Sequence, residues 1–134
     1  MLAVGQLWVV LGEEFGWRAF ALPRLERALS ARRATLVLAV FWGVWHIPMF
    51  FVPGSLQAQM SPLLFAAAIF AWSCVHTALY DRSHPSIVPN LLYHGCTNLT
   101  LNLVEMPAEL QADLVAAYLL GGLAVWWKLV GGSE

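Results

Sequence analysis

Six side chains carry the chemistry this sequence can offer: Glu13, Glu14, Arg18, His46, His94 and Asn98. Carboxylates and imidazoles transfer protons, and imidazole and amide N–H groups can hold a developing negative charge. Their spacing is the first clue to how they are used. Glu14 and Arg18 are four residues apart, as are His94 and Asn98, so each pair projects from one face of a helix. Glu13 lies about 100° around the helix from Glu14 and need not share Arg18. One glutamate is then free for chemistry while its neighbour is neutralised. Each element alone has a plainer reading: Glu14–Arg18 as a buried neutral pair, His94 with Asn98 as an interhelical hydrogen-bond patch, His46 as a satisfied interior histidine. His76 has no partner in its own segment and reads as structural or interfacial, and His84 falls in a loop.

The elements that must position these groups follow from the solvent. Hydrophobic residues make up 60% of the 134 residues and charged residues only 11%, with a mean hydropathy of +0.67. A soluble domain carries about 25% charged residues. This chain cannot cover a water-facing surface and reads as an all-α, integral membrane helical bundle. Its net charge is −1 and its seven basic residues form no stripe with interleaved aromatics, which argues against a nucleic-acid partner. Cys74 and Cys96 both lie in apolar segments and read as small buried hydrophobes rather than as a disulfide or zinc ligands. Residues 1–11 are apolar but lack the basic start and small-residue cleavage site of a signal peptide.

Five hydrophobic segments are expected, at residues 1–23, 34–52, 62–80, 85–104 and 110–130. Each is close to the roughly 20 residues a helix needs to cross the hydrocarbon core. The fourth is the most polar, with Asn90, His94, Thr97, Asn98 and Asn102. Ala66, Ala67, Ala68, Gly121 and Gly122 suit close helix packing. With no internal repeat or linker, residues 1–134 read as a single membrane domain. Arg24, Arg27, Arg32 and Arg33 fall in the first connection, none in the second, Asp81 and Arg82 in the third, and Glu105, Glu109 and Asp113 in the fourth; Lys128 closes the fifth segment. Basic residues in alternate connections place the 24–33 loop and the C-terminus in the cytoplasm.

That topology predicts depth. From the cytoplasmic helix ends, Glu13 lies roughly 15 Å into the membrane, His46 roughly 18 Å, His94 roughly 14 Å, and Asn98 about 6 Å deeper than His94. Three helices thus deliver polar groups to one layer, where each ionisable group costs on the order of 2.5–3.5 kcal/mol and is usually functional. Pro48, just after His46, disturbs the helical hydrogen bonds there and opens space.

Glu13-Glu14-Phe15-Gly16-Trp17-Arg18, trailed by Leu22-Pro23-Arg24-Leu25, resembles the first motif of the CAAX-protease and bacteriocin-processing (CPBP, or Abi) membrane peptidases. Phe41-Trp42-Gly43-Val44-Trp45-His46 resembles the second, an aromatic four or five positions before a histidine, and His94-Gly95-Cys96-Thr97-Asn98 the third. Order and rough spacing match over residues 11–102. The resemblance implies an endopeptidase acting on a membrane-associated protein or peptide, by CAAX-type cleavage or by leader or bacteriocin processing. It implies that Glu13 with His46 activates a water, that His94 and Asn98 bind the oxyanion, and that Glu14 and Arg18 hold the geometry. A compact member of this kind points to a bacterial cell membrane. Members usually carry further helices before the first motif, so the expectation is either a short member or an N-terminally truncated chain, one that is incomplete or else completed by partner helices or an oligomer.

For zinc, Glu13, His46 and His94 would be the ligands, with an open position. Asn98 is a poor zinc ligand, however, and the His-Glu-x-x-His helix of ordinary zinc peptidases is absent. The preferred expectation is therefore metal-free, with no cofactor required. The competing function is a non-catalytic membrane scaffold or bacteriocin-immunity protein that keeps the fold, yet a scaffold would not need four buried polar groups. A small proton or metal-ion carrier usually shows repeat symmetry, and none is found here.

Overall fold

The computed structural model of the chain describes residues 2–103 and 107–129. Among them there is no strand. Helix α1 (Leu2–Glu14) runs through a π-helical segment (Phe15–Ala21) into α2 (Leu22–Glu26), with right-handed helical backbone at both junctions, so the three make one rod. Next come α3 (Ala31–Trp45), two 3-10 turns (Ile47–Phe51 and Gln57–Gln59), α4 (Pro62–Ser83), α5 (Val88–Leu103) and α6 (Ala108–Leu129). These five rods meet the five expected segments. Asp81 and Arg82, expected in a connection, instead form the last turn of α4. Val104 and Glu105 lie outside the described residues, as do the side chains of Asn102 and Glu109.

Local chemistry explains the boundaries. Pro48 lacks an N–H and its ring would clash with the Val44 carbonyl, so α3 stops at Trp45 and the chain tightens into a 3-10 turn. Ser61 caps α4 by accepting the Leu64 N–H at 3.2 Å, with Pro62 at the first helical position. Gly54, at φ +81°, turns the chain between the two 3-10 segments.

Among the described residues, three helical stretches are long and apolar enough to cross a membrane: Ala31–Phe51, Pro62–Ser83 and Leu110–Lys128. Helix α5, at 16 residues, is shorter than those three, and the π segment interrupts the α1–α2 rod. The core sits on α4, which packs against α3, α5, α6 and the π segment. Trp42, Phe65, Ala68, Ile69, Trp72 and Val115 form its main cluster, and the Thr35 and Thr77 hydroxyls tie α3 to α4 at 2.9 Å. Phe51, Leu63 and Leu120 are exposed, as apolar side chains facing lipid tails are in a membrane protein. Cys74 is buried as expected, but Cys96 is exposed on α5. An apolar segment in lipid needs no burial of its small residues, so hydropathy alone could not place it.

Of the small residues expected at helix contacts, Gly122 is the decisive one. A methyl group there would stand 2.8 Å from the Ala71 carbonyl oxygen and 3.1 Å from its Cα, whereas one on Gly121 would meet nothing within 4 Å. Gly122→Val should therefore force α6 off α4 and cost about 1–3 kcal/mol. Thermal unfolding in detergent should show a lower Tm for Gly122→Val and none for Gly121→Val; equal Tm values would refute the close approach.

At the end of α2, Glu26 Oε1 is buried without a hydrogen-bond partner. Burial, and then the charge of Asp81, push the Glu26 carboxyl from 4.5 up to about 7. The folded protein therefore holds this proton across a window in which the unfolded chain has lost it. Stability gained from it is full below pH 4.5 and is lost as pH rises through about 7. Between about pH 5 and about pH 8 the Tm should fall, and Glu26→Gln should flatten that fall.

Candidate active site

Glu13 and Glu14 are the last residues of α1, and the helix turns them to different surroundings. Glu14 is fully buried, and its Oε1 accepts from Arg18 Nη1 at 2.9 Å and from His94 Nδ1 at 2.7 Å. The four-residue spacing read from the sequence thus produces the ion pair, with Arg18 only 2% exposed. Glu13 is half-buried and turns toward α3, where its Oε2 accepts from the indole Nε1 of Trp42 at 2.6 Å.

His46 follows the last residue of α3. Its Nδ1 bonds the Trp42 carbonyl oxygen at 2.8 Å. A carbonyl can only accept, so Nδ1 carries the proton and Nε2 of the neutral ring keeps a lone pair. On α5, Asn98 Nδ2 donates to Gln6 Oε1 at 3.2 Å. Asn90, also on α5, donates from Nδ2 to the His76 carbonyl oxygen at 2.8 Å and lies 3.0 Å from His76 Nδ1. With the amide nitrogen facing the ring, His76 Nδ1 is an acceptor and its proton sits on Nε2.

One cavity of about 590 Å³ is lined by Glu13, His46, His94 and Asn98 together, a size suited to a peptide segment. Glu14 and Arg18 are not in its wall; they lie buried behind His94. Trp42, His76 and Gln6 line the cavity as well. Sequence reasoning had no role for Gln6, and treated Trp42 only as the aromatic of a motif.

His76, expected to lack a partner in its own segment and to be structural or interfacial, is 2% exposed, bonded to Asn90 and 3.5 Å from Glu14 Oε2. Its partners come from α1 and α5, so spacing within α4 could not disclose them. A histidine inside an apolar membrane span was itself the available signal.

The zinc ligand set anticipated from sequence is not the one the fold brings together. Among the described residues, the group whose ligand atoms lie within 4.8 Å of one another is Glu14, His76 and His94, not Glu13, His46 and His94. These three fit a metal poorly. Glu14 Oε1 and His94 Nδ1 are already bonded to each other, and the buried Arg18 guanidinium sits on the same carboxylate. A dication there would face a fixed cation in a low-dielectric interior.

Fold and site together define a class: an all-helical membrane protein with a cavity lined by carboxylate, imidazole and amide groups. The chain belongs to the Rce1-like type II CAAX prenyl endopeptidases, whose family model matches residues 1–100. It is 29% identical over 103 residues to CAAX prenyl protease 2 of Methanococcus maripaludis, an alignment covering 72% of this chain and 38% of that protein. The chain therefore spans little more than a third of that relative's length. No solved structure matches it. The CAAX-protease resemblance carried by the three motifs is thereby confirmed.

Proposed function

We propose that this protein is an intramembrane endopeptidase that cleaves near the lipid-modified C-terminus of a membrane-associated protein, with a water activated by Glu13 and His46 and without a metal. The observation carrying this reading is the convergence of Glu13, His46, His94 and Asn98, from three helical rods, on one cavity. The name of the archaeal relative supports the CAAX-type substrate.

In this mechanism Glu13 takes a proton from water as the water oxygen attacks the scissile carbonyl carbon, and His46 Nε2 orients that water by accepting a hydrogen bond from its other O–H, which stays on the oxygen. Charge developing on the carbonyl oxygen is met by N–H groups of His94 and Asn98, which in a water-poor cavity contribute about 3–4 kcal/mol. Because His94 Nδ1–H is bonded to Glu14, donation from Nε2 requires the imidazolium, and Glu14 is its counter-ion. The proton on Glu13 then passes to the leaving amine as the C–N bond breaks. The poor fit of Glu14, His76 and His94 to a cation favours this route over a metal-bound water.

Orientation follows the arginines, with the 24–33 loop in the cytoplasm. Arg32, at the start of α3, lies 5.0 Å from the Trp127 ring near the end of α6, which supports the C-terminus lying on that same side.

The test is cleavage of a prenylated peptide by detergent-purified protein, with the released fragment identified by mass spectrometry. Wild type should cleave with or without a chelator, and Glu13→Ala should not. Equal activity of the two proteins would sink the role of Glu13. Loss of activity on chelation would sink the metal-free route, and cleavage of no peptide at all would point to a scaffold.

A further inference from the structure

Trp42 touches both groups assigned to the water, Glu13 and His46. Its indole N–H bonds Glu13 Oε2 at 2.6 Å, and its carbonyl oxygen holds His46 Nδ1 at 2.8 Å. Its ring meets His46, His76 and His94 edge-on, with centroids 5.9, 5.7 and 5.7 Å away. The Arg18 guanidinium lies 4.4 Å from its centroid. The side chain is only 4% exposed. Four neighbouring groups therefore fix the plane of the indole, and with it the direction in which the N–H points.

Geometry limits what that N–H does. A carboxylate has two oxygens, and an unrestrained glutamate would exchange them by turning about its last torsion. With Oε2 held by a short, charge-assisted bond, Oε1 is the oxygen left to meet a water. The same residue, through its main chain, leaves His46 Nε2 with the lone pair. Any amino acid at position 42 would supply that carbonyl, but phenylalanine, which would fill much of the same space, has no N–H. The indole thus adds something beyond filling the core.

We propose that Trp42 is a positioning residue for the hydrolytic step: its indole N–H locks the Glu13 carboxylate so that one defined oxygen faces the attacking water. The proposal rests on the peptidase reading above.

The experiment compares wild type, Trp42→Phe, Trp42→His and Glu13→Gln on the prenylated peptide. Trp42→Phe should lower kcat by about 10- to 100-fold with KM within about twofold, as expected for loss of one hydrogen bond to a charged group. Trp42→His should recover part of that loss, because its Nε2 lies as many bonds from Cγ as the indole nitrogen does. Unchanged kcat in Trp42→Phe, or a loss that Trp42→His does not relieve, overturns the proposal. If Glu13→Gln is as active as wild type, it is the assignment of Glu13 as the base that fails instead, and if wild type cleaves nothing it is the peptidase reading.

A second measurement does not need the Trp42 variants to fold. Of the seven tryptophans, one indole N–H proton should resonate well downfield in ¹⁵N-tryptophan-labelled wild-type protein and move upfield in Glu13→Gln. Seven indole signals unmoved by Glu13→Gln would overturn the bond on which the proposal stands.

Discussion

Glu13→Gln is expected to leave the folded protein intact and to lower kcat by roughly 10²–10⁴-fold, the range a positioned general base supplies. The substitution keeps the side chain's length and one oxygen, so the Trp42 N–H still finds an acceptor and the cavity keeps its shape. What disappears is the group that takes the water's proton. Because the lost interaction belongs to the transition state, kcat and kcat/KM should fall together while KM stays near its original value. Steady-state kinetics on a prenylated peptide, with Tm measured alongside, checks both halves. A Tm loss as large as that of a core substitution would mean that Glu13 is structural, and an undiminished kcat would mean that another group is the base.

Adjacent glutamates with such different roles explain what could be read from the sequence and what could not. The spacing of Glu14 and Arg18 was enough to anticipate their pairing, and the angle between successive helical residues was enough to send Glu13 elsewhere. The start of α4 at residue 62 was legible, whereas the second segment, expected to run to residue 52, stops as an α-helix at Trp45 ahead of Pro48. Counting helical rise led to the expectation that Glu13, His46, His94 and Asn98 lie near one another, and all four line one cavity. The contacts of His76 with Asn90 and Glu14, of Trp42 with Glu13, and of Asn98 with Gln6 were not legible. Each joins two helices, and helix rotation about its own axis is set by packing, which leaves no periodic trace in a segment apolar nearly all round. The π segment was hidden for a related reason: a helix that must swallow one extra residue per turn looks, residue by residue, like any other helix.

Arg18→Met should produce the largest loss of stability of any single substitution in the site, about 3–5 kcal/mol, seen as a fall in Tm on the order of 10 °C. Glu14 would remain fully buried with only His94 to balance it, and its Oε2 already lacks a hydrogen-bond partner. Glu14→Gln should cost a similar amount by stranding the guanidinium beneath the Trp42 ring. The double variant, Glu14→Gln with Arg18→Met, removes both charges, and its Tm should recover well above the sum of the single losses. Turnover should not recover with it, because His94 would have lost the carboxylate that supports its imidazolium. A double variant restored in both stability and activity would show that the buried pair serves the fold alone. One restored in stability only would place Glu14 in the chemistry, acting through His94 from behind the cavity wall.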